Sequence, residues 1–112
     1  MTVTERQAGS TTVLALSGKF VLDNAGQLKE QVTSLLGRGV RQIVLDLANI
    51  TFIDSSGLGE MVSCHATATR ARGAIKLANL GKRTQDLLVI TKLNMVFDVH
   101  PSVEEAVGSF SA

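Results

Sequence analysis

Six consecutive residues, Asp54-Ser55-Ser56-Gly57-Leu58-Gly59, hold one carboxylate, two hydroxyls and two glycines. They follow the most apolar run of the chain and open a stretch of helical periodicity. Open α/β sheets put their sites at such a strand-to-helix junction. The first amides of a helix lack internal acceptors, and its dipole places roughly half a positive charge at that end. An anion on Ser55 or Ser56 would sit in that field, and Gly57 and Gly59 would let a partner's backbone approach closely. The same residues have a plainer use. Asp and Ser are preferred helix N-caps, each worth about 1 kcal/mol against Ala.

Two catalytic readings fail on spacing. A phosphate-cradling loop needs Gly-x-x-x-x-Gly-Lys-Ser/Thr, and no lysine follows this stretch before Lys76. A hydrolase elbow needs Gly-x-Ser-x-Gly, which does not occur. Cys64 and His65 are adjacent, so on a helix they point about 100° apart and chelate poorly. His100 is distant, and nothing in the sequence places either histidine at Ser56. The expectation is no metal, no cofactor and no catalysis by this chain alone. Arg70, Arg72, Lys76, Lys82 and Arg83 form a basic region, read either as solvated helix ends or as a docking surface for an acidic partner.

The elements that must position the stretch follow from periodicity. Val3–Gln7 and Thr12–Ser17 read as a hairpin across Ala8-Gly9-Ser10. Ala25, Leu28, Val32, Leu35 and Leu36 form a helical stripe, with an Asn24/Gln27 capping box before it and Gly37 at its stop. Arg41–Leu47 is nearly all apolar, the mark of a strand buried on both faces between parallel neighbours. A turn is expected over Asn49–Ser56. A second helix follows, with Leu58, Met61, Val62, His65 and Thr69 inward, ending near Gly73. Then come a strand over Ala74–Leu80, a helix over Lys82–Leu93 with Leu87, Leu88 and Thr91 on one side, and a short strand over Val96–Val99. A final helix carries Val103, Ala106, Val107 and Phe110 behind a Ser102/Glu105 box. The order β-β-α-β-α-β-α-β-α predicts an α/β fold: a mostly parallel sheet of four to five strands with an antiparallel N-terminal strand.

Composition sets the bounds. The 112 residues are 45% hydrophobic with one proline, which suits a single domain with a real core over residues 1–112. A net charge of +1, no Trp, no Tyr and only Phe20, Phe52, Phe97 and Phe110 argue against a nucleic-acid binder. A single cysteine makes no internal disulfide. Neither a signal-like N-terminus nor a run of about 20 apolar residues is present, so a cytoplasmic protein without membrane insertion is expected. The Leu87-Leu88 face serves equally as core or interface, leaving monomer and weak dimer open.

Leu45-Asp46-Leu47 followed by Ile50-Thr51-Phe52-Ile53-Asp54-Ser55-Ser56-Gly57-Leu58-Gly59 resembles the signature of the STAS domain, most nearly the free-standing bacterial anti-anti-sigma factors, or anti-sigma factor antagonists. Gly18, Asp23, Leu77-Ala78-Asn79-Leu80, Leu93–Phe97 and Glu104-Glu105-Ala106 extend the likeness over nearly the whole chain. The resemblance implies a phosphorylation switch. The unmodified antagonist binds an anti-sigma factor that is also a serine kinase, and a sigma factor is released. The kinase phosphorylates a serine in this loop, which ends the binding, and a metal-dependent phosphatase resets it. By position the acceptor is Ser56, with Asp54 shaping the loop and Asp23, Ser55, Gly57, Leu58 and Gly59 in the partner-binding surface. Nucleotide and Mg²⁺ belong to the kinase.

One departure stands out. Shorter members commonly carry Gly-x-Leu-Asp after the second strand, whereas Gly18-Lys19-Phe20-Val21-Leu22-Asp23 is two residues longer. The family's fold puts this loop near Ser56, where it bears on partner specificity; Asp23 is a partner contact or a solvated residue beside a helix start. STAS domains also serve membrane transport complexes for lipids or anions, and a soluble accessory subunit or a small-ligand or nucleotide-sensing module are the alternative readings.

Overall fold

The computed structural model describes residues 1–24 and 26–111. Ala25, expected in the first helical stripe, lies outside them. Strands β1 (Thr2–Ala8) and β2 (Thr11–Phe20) form the antiparallel hairpin, turning at Gly9 with φ +65°. Then follow α1 (Gln27–Gly37), β3 (Gln42–Ile53), α2 (Ser55–Arg70), β4 (Ala74–Ala78), α3 (Lys82–Ile90), β5 (Asp98–His100) and α4 (Val103–Ser109). The five strands lie in the order β1-β2-β3-β4-β5, and every pair after the first is parallel. This is the expected architecture.

Sequential parallel strands joined by crossovers of one hand put their helices on one face. Leu28 and Leu35 of α1, Met61 and Cys64 of α2 and Leu88 of α3 accordingly share one core with Leu14, Phe20, Ile43, Leu45 and Leu77 of the sheet. α4 covers the other face, where Ala106 packs with Val13, Val44 and Ala78. Adjacent strand residues point to opposite faces. Neighbours such as Val13 and Leu14, or Val44 and Leu45, are therefore all fully buried, and the lack of a polar face in β3 is explained.

Several boundaries move, each for a local reason. The turn expected over Asn49–Ser56 is strand as far as Ile53, because β2 continues to Phe20 and pairs Lys19 with Phe52 and Phe20 with Ile53. Two register shifts, one beside Gly18 at φ +96°, let the ladder resume after Leu47. β4 stops at Ala78, since Asn79 adopts φ +59°. α3 stops at Ile90; Lys92 at φ +64° starts a 3-10 turn over Leu93–Met95, which pushes β5 to Asp98–His100. In α2 the inward line is Gly57, Leu58, Met61, Cys64 and Ala68, so Thr69 is exposed and His65 only half-buried. In α3 Thr84 and Leu88 point inward and Thr91 outward.

The Asn24/Gln27 capping box does not form. Asn24 accepts from the Val21 amide at 3.0 Å and donates to the Lys19 carbonyl at 2.7 Å, closing a 3-10 turn over Leu22–Asn24. α1 begins after Gly26 at φ +101°. At α4 the serine half of the expected box is present, with the Glu105 amide donating to Ser102 Oγ at 3.1 Å.

Candidate functional site

Asp54 follows β3 in extended backbone and caps α2: its Oδ1 accepts from the Gly57 amide at 2.9 Å, and its carbonyl accepts from the Leu58 amide at 3.0 Å. Its second oxygen, Oδ2, accepts from the Leu22 amide at 3.3 Å, while its own amide donates to the Phe20 carbonyl at 3.2 Å. One residue thus joins the end of β2, the 3-10 turn and α2. The lengthened loop is tied directly to the Ser55-Ser56 turn.

Gly57 is required here by geometry. A Cβ on it would fall inside contact distance of the Phe20 carbonyl oxygen and 3.0 Å from Ile53 Cγ1. Gly59 has open space around its Cβ position. The close backbone approach expected at these glycines therefore occurs at Gly57 and inside the molecule, against β2. Gly57 and Leu58 face the core; Ser55, Gly59, Leu22 and Asp23 are exposed, and Ser56 is half-buried at the second helical position. Among the described residues, no hydrogen bond engages either serine hydroxyl. Leu22 projects at 69% exposure beside Asp23.

Glu60, one helical turn beyond Ser56, reaches across to α1. Its carboxylate accepts from the amides of Gly26, of Leu28 at 3.0 Å and of Lys29 at 3.2 Å. The side chain of one helix thereby satisfies the orphan amides of another, where a carboxylate also meets the positive end of the dipole. Lys29 Nζ donates to Ser63 Oγ at 2.6 Å, closing the same seam.

A profile of the STAS domain family matches residues 2–106. The chain belongs to this family. It is 26% identical over 110 residues to BtrV of Bordetella bronchiseptica, provisionally named an anti-sigma factor antagonist, covering 98% of this chain and 95% of that protein. It is 28% identical over 92 residues to the anti-sigma-B factor antagonist of Bacillus subtilis, covering 82% and 84%. The solved structure of the Bacillus cell fate determinant SpoIIAA in its phosphorylated form superposes with a TM-score of 0.75 at 18% identity, covering 97% and 99%, which establishes the shared fold.

The cysteine and histidines of this STAS domain lie apart from the Ser56 turn. The His65 ring stands edge-on to Phe97, centroids 5.5 Å apart, with Nδ1 buried and unbonded. Burial, reinforced by Glu60 and partly offset by Lys29, pushes the Cys64 thiol up to about 12. His100 Nε2 lies 3.0 Å from Asp98 Oδ1 and 3.4 Å from Ser109 Oγ. That Ser-His-Asp grouping is no proton relay, because a relay needs the two partners on opposite ring nitrogens. Burial would raise the Asp98 carboxyl, but hydrogen bonds and charge from His100 and Lys76 outweigh it and hold it below the ordinary carboxylate value.

The basic region is not one surface. Lys76 is half-buried, bonded to Asp98 at 3.2 Å and Ser109 at 2.5 Å, and sits over the Phe110 ring. Arg83 stacks on Phe52, and Lys82 pairs with Asp86 on its own helix. Sequence reading missed Glu60 and the β5–α4 cluster. The second had a signal, since Asp98 and His100 alternate on one strand face. Glu60 had none, because its three acceptor bonds depend on how two helices dock.

Proposed function

We propose that this STAS domain is an anti-sigma factor antagonist whose partner choice is reversed by phosphorylation of Ser56. The observation that carries the reading is the Ser56 hydroxyl itself. Among the described residues it has no hydrogen-bond partner, and it stands on the first turn of α2, which the Asp54 hub holds in place. The antagonist names of the two relatives support the same conclusion. In this reading Ser56 is a substrate and the chain is not an enzyme. The unmodified surface of Leu22, Asp23, Ser55, Ser56 and Gly59 docks a cytoplasmic anti-sigma serine kinase, which brings nucleotide and Mg²⁺, and a metal-dependent phosphatase reverses the modification. Asp54 and Gly57 shape the turn from within.

A phosphoserine adds about −1.5 to −2 charge and three acceptor oxygens at pH 7. The helix start tolerates it, because free amides and dipole favour an anion there. An interface fitted to a hydroxyl does not, and a penalty of about 2.7 kcal/mol weakens binding a hundredfold. The test is incubation with the anti-sigma kinase and ATP, phosphosite mapping, and binding measured before and after. The expected result is one phosphate on Ser56, none on Ser56→Ala, and about a hundredfold weaker binding of the kinase. Phosphate on Ser55 or elsewhere, or unchanged binding after modification, overturns the reading.

A further inference from the structure

Away from Ser56, the carboxyl ends of β4 and β5 open into a cavity of about 620 Å³ between the sheet edge, α3 and the 3-10 turn. That volume falls in the range of small-molecule sites, and the end of a parallel sheet where strands give way to loops is a usual place for one. Leu88 and Phe97, both buried, form apolar wall, and Val89 stands at the rim with 61% exposure. Of the exposed large apolar residues, Val89 and Val99 line the cavity, and Ile90, Met95 and Val96 belong to the same stretch of chain without lining it.

The polar groups in the wall define what fits. Asn79, Gln85, Asn94 and His100 line the cavity, and no lysine, arginine, aspartate or glutamate does. Asn79 spends its amide nitrogen on Asp46 Oδ1 at 3.0 Å, and Gln85 spends its own on the Leu80 carbonyl at 3.2 Å. His100 Nε2 is held by Asp98. Each of these amides keeps its carbonyl oxygen and one further N–H, so with Asn94 the wall both accepts and donates hydrogen bonds, and its one group able to carry positive charge, His100, is already paired with Asp98. Asn79 is also held at φ +59°, and unusual backbone at a cavity wall is a feature of ligand clamps.

We infer that this cavity binds an uncharged, largely apolar small molecule whose polar edge hydrogen-bonds the side-chain amides of Asn79 and Gln85, an N–H of the ligand meeting the Asn79 carbonyl oxygen. The occupant is selected by apolar shape and by a neutral polar edge, and carboxylates and phosphates are disfavoured because no lysine or arginine lines the cavity. The inference is independent of the Ser56 reading, because no residue of the Ser56 turn lines the cavity and neither phosphate nor kinase is needed.

The test is titration of the full chain with three probes, followed by amide resonances in heteronuclear NMR. Indole offers an apolar body and one N–H; 1-methylindole keeps the body and loses the donor; benzoate is a comparable anion. Indole is expected to shift the amides of Asn79, Gln85, Leu88 and Phe97 saturably, with a dissociation constant on the order of 1 mM. The other two probes are expected to bind at least about tenfold more weakly. Val89→Trp fills the mouth from an exposed position and should abolish the response. Asn79→Gly keeps the left-handed backbone, removes the acceptor and should bring indole down to the level of 1-methylindole. Absence of saturable shifts at these residues, equal binding of benzoate, or a response that survives Val89→Trp overturns the inference. So does a concentration-dependent dimer lost in Val89→Trp without any indole response, which would assign the face to a second copy of the chain.

Discussion

The carbonyl oxygen of Phe20 occupies the space where a side chain on residue 57 would have to go. Two segments 37 positions apart are pressed together there, and the second must be glycine. Gly57→Ala forces the helix start away from β2 and is expected to lower stability by about 1–3 kcal/mol. Gly59→Ala, two residues along the same helix with open space around it, is expected to raise stability by up to about 1 kcal/mol. Urea denaturation of the two variants checks the opposite signs; a stabilising Gly57→Ala would refute the close approach.

Glu60→Gln removes the charge and one acceptor oxygen that the first amides of α1 share. The expected loss is about 1–2 kcal/mol, with faster hydrogen exchange at Leu28 and Lys29 and little change within α2. Ser56 and Glu60 stand four residues apart on one helix, a spacing at which like charges repel. Phosphate on Ser56 is therefore expected to accelerate exchange at the same two amides in the wild-type chain, and no acceleration would rule out this coupling.

Asp54 serves two donors through two different oxygens. Asp54→Ala should cost about 1 kcal/mol for the cap alone. Asp54→Asn separates the two bonds, because its single carbonyl oxygen can keep the Gly57 amide and release Leu22. Exchange at Leu22 should rise in Asp54→Asn while Gly57 stays protected. Equal protection of both amides would show that the loop is held by something else.

Cys64 supplies a pH dependence of definite sign. Its folded value is pushed up to about 12 from 9.0. Below pH 9 both states keep the proton and the thiol contributes no slope. Between about 9 and 12 the unfolded chain releases it and the folded chain does not, so stability falls as pH rises, by at most about 1.4 kcal/mol per unit. Denaturation midpoints at pH 8 and pH 10.5 should drop further in wild type than in Cys64→Ala. Identical drops would mean that the folded thiol titrates normally.

The legible part of the fold was whatever periodicity could carry. Ile43-Val44-Leu45 has no polar face because both sides of β3 are covered, and a run of residues reports that directly. Leu28, Val32, Leu35 and Leu36 recur at helical steps for the same reason, and all four are buried. The Asp54 cap was visible too, since its partner amide lies only three residues on. The Asn24/Gln27 box shows the limit of such reasoning. Asn24 found closer acceptors and donors in its own turn, and the cap it was expected to supply came from Glu60, more than thirty residues away.

Residue order alone therefore determined the element sequence, the double-sided burial of β3 and the placing of Ser55 and Ser56 at a helix start, since each depends on neighbours within a few positions. Three-dimensional packing decided why residue 57 is glycine, which side chain caps α1, and that Leu22 stands beside Asp54. It also decided that Leu80, Leu88, Val89, Phe97 and Val99 meet around a cavity. Those facts depend on atoms that meet only after the sheet has closed, and short-range patterns contain no record of such meetings.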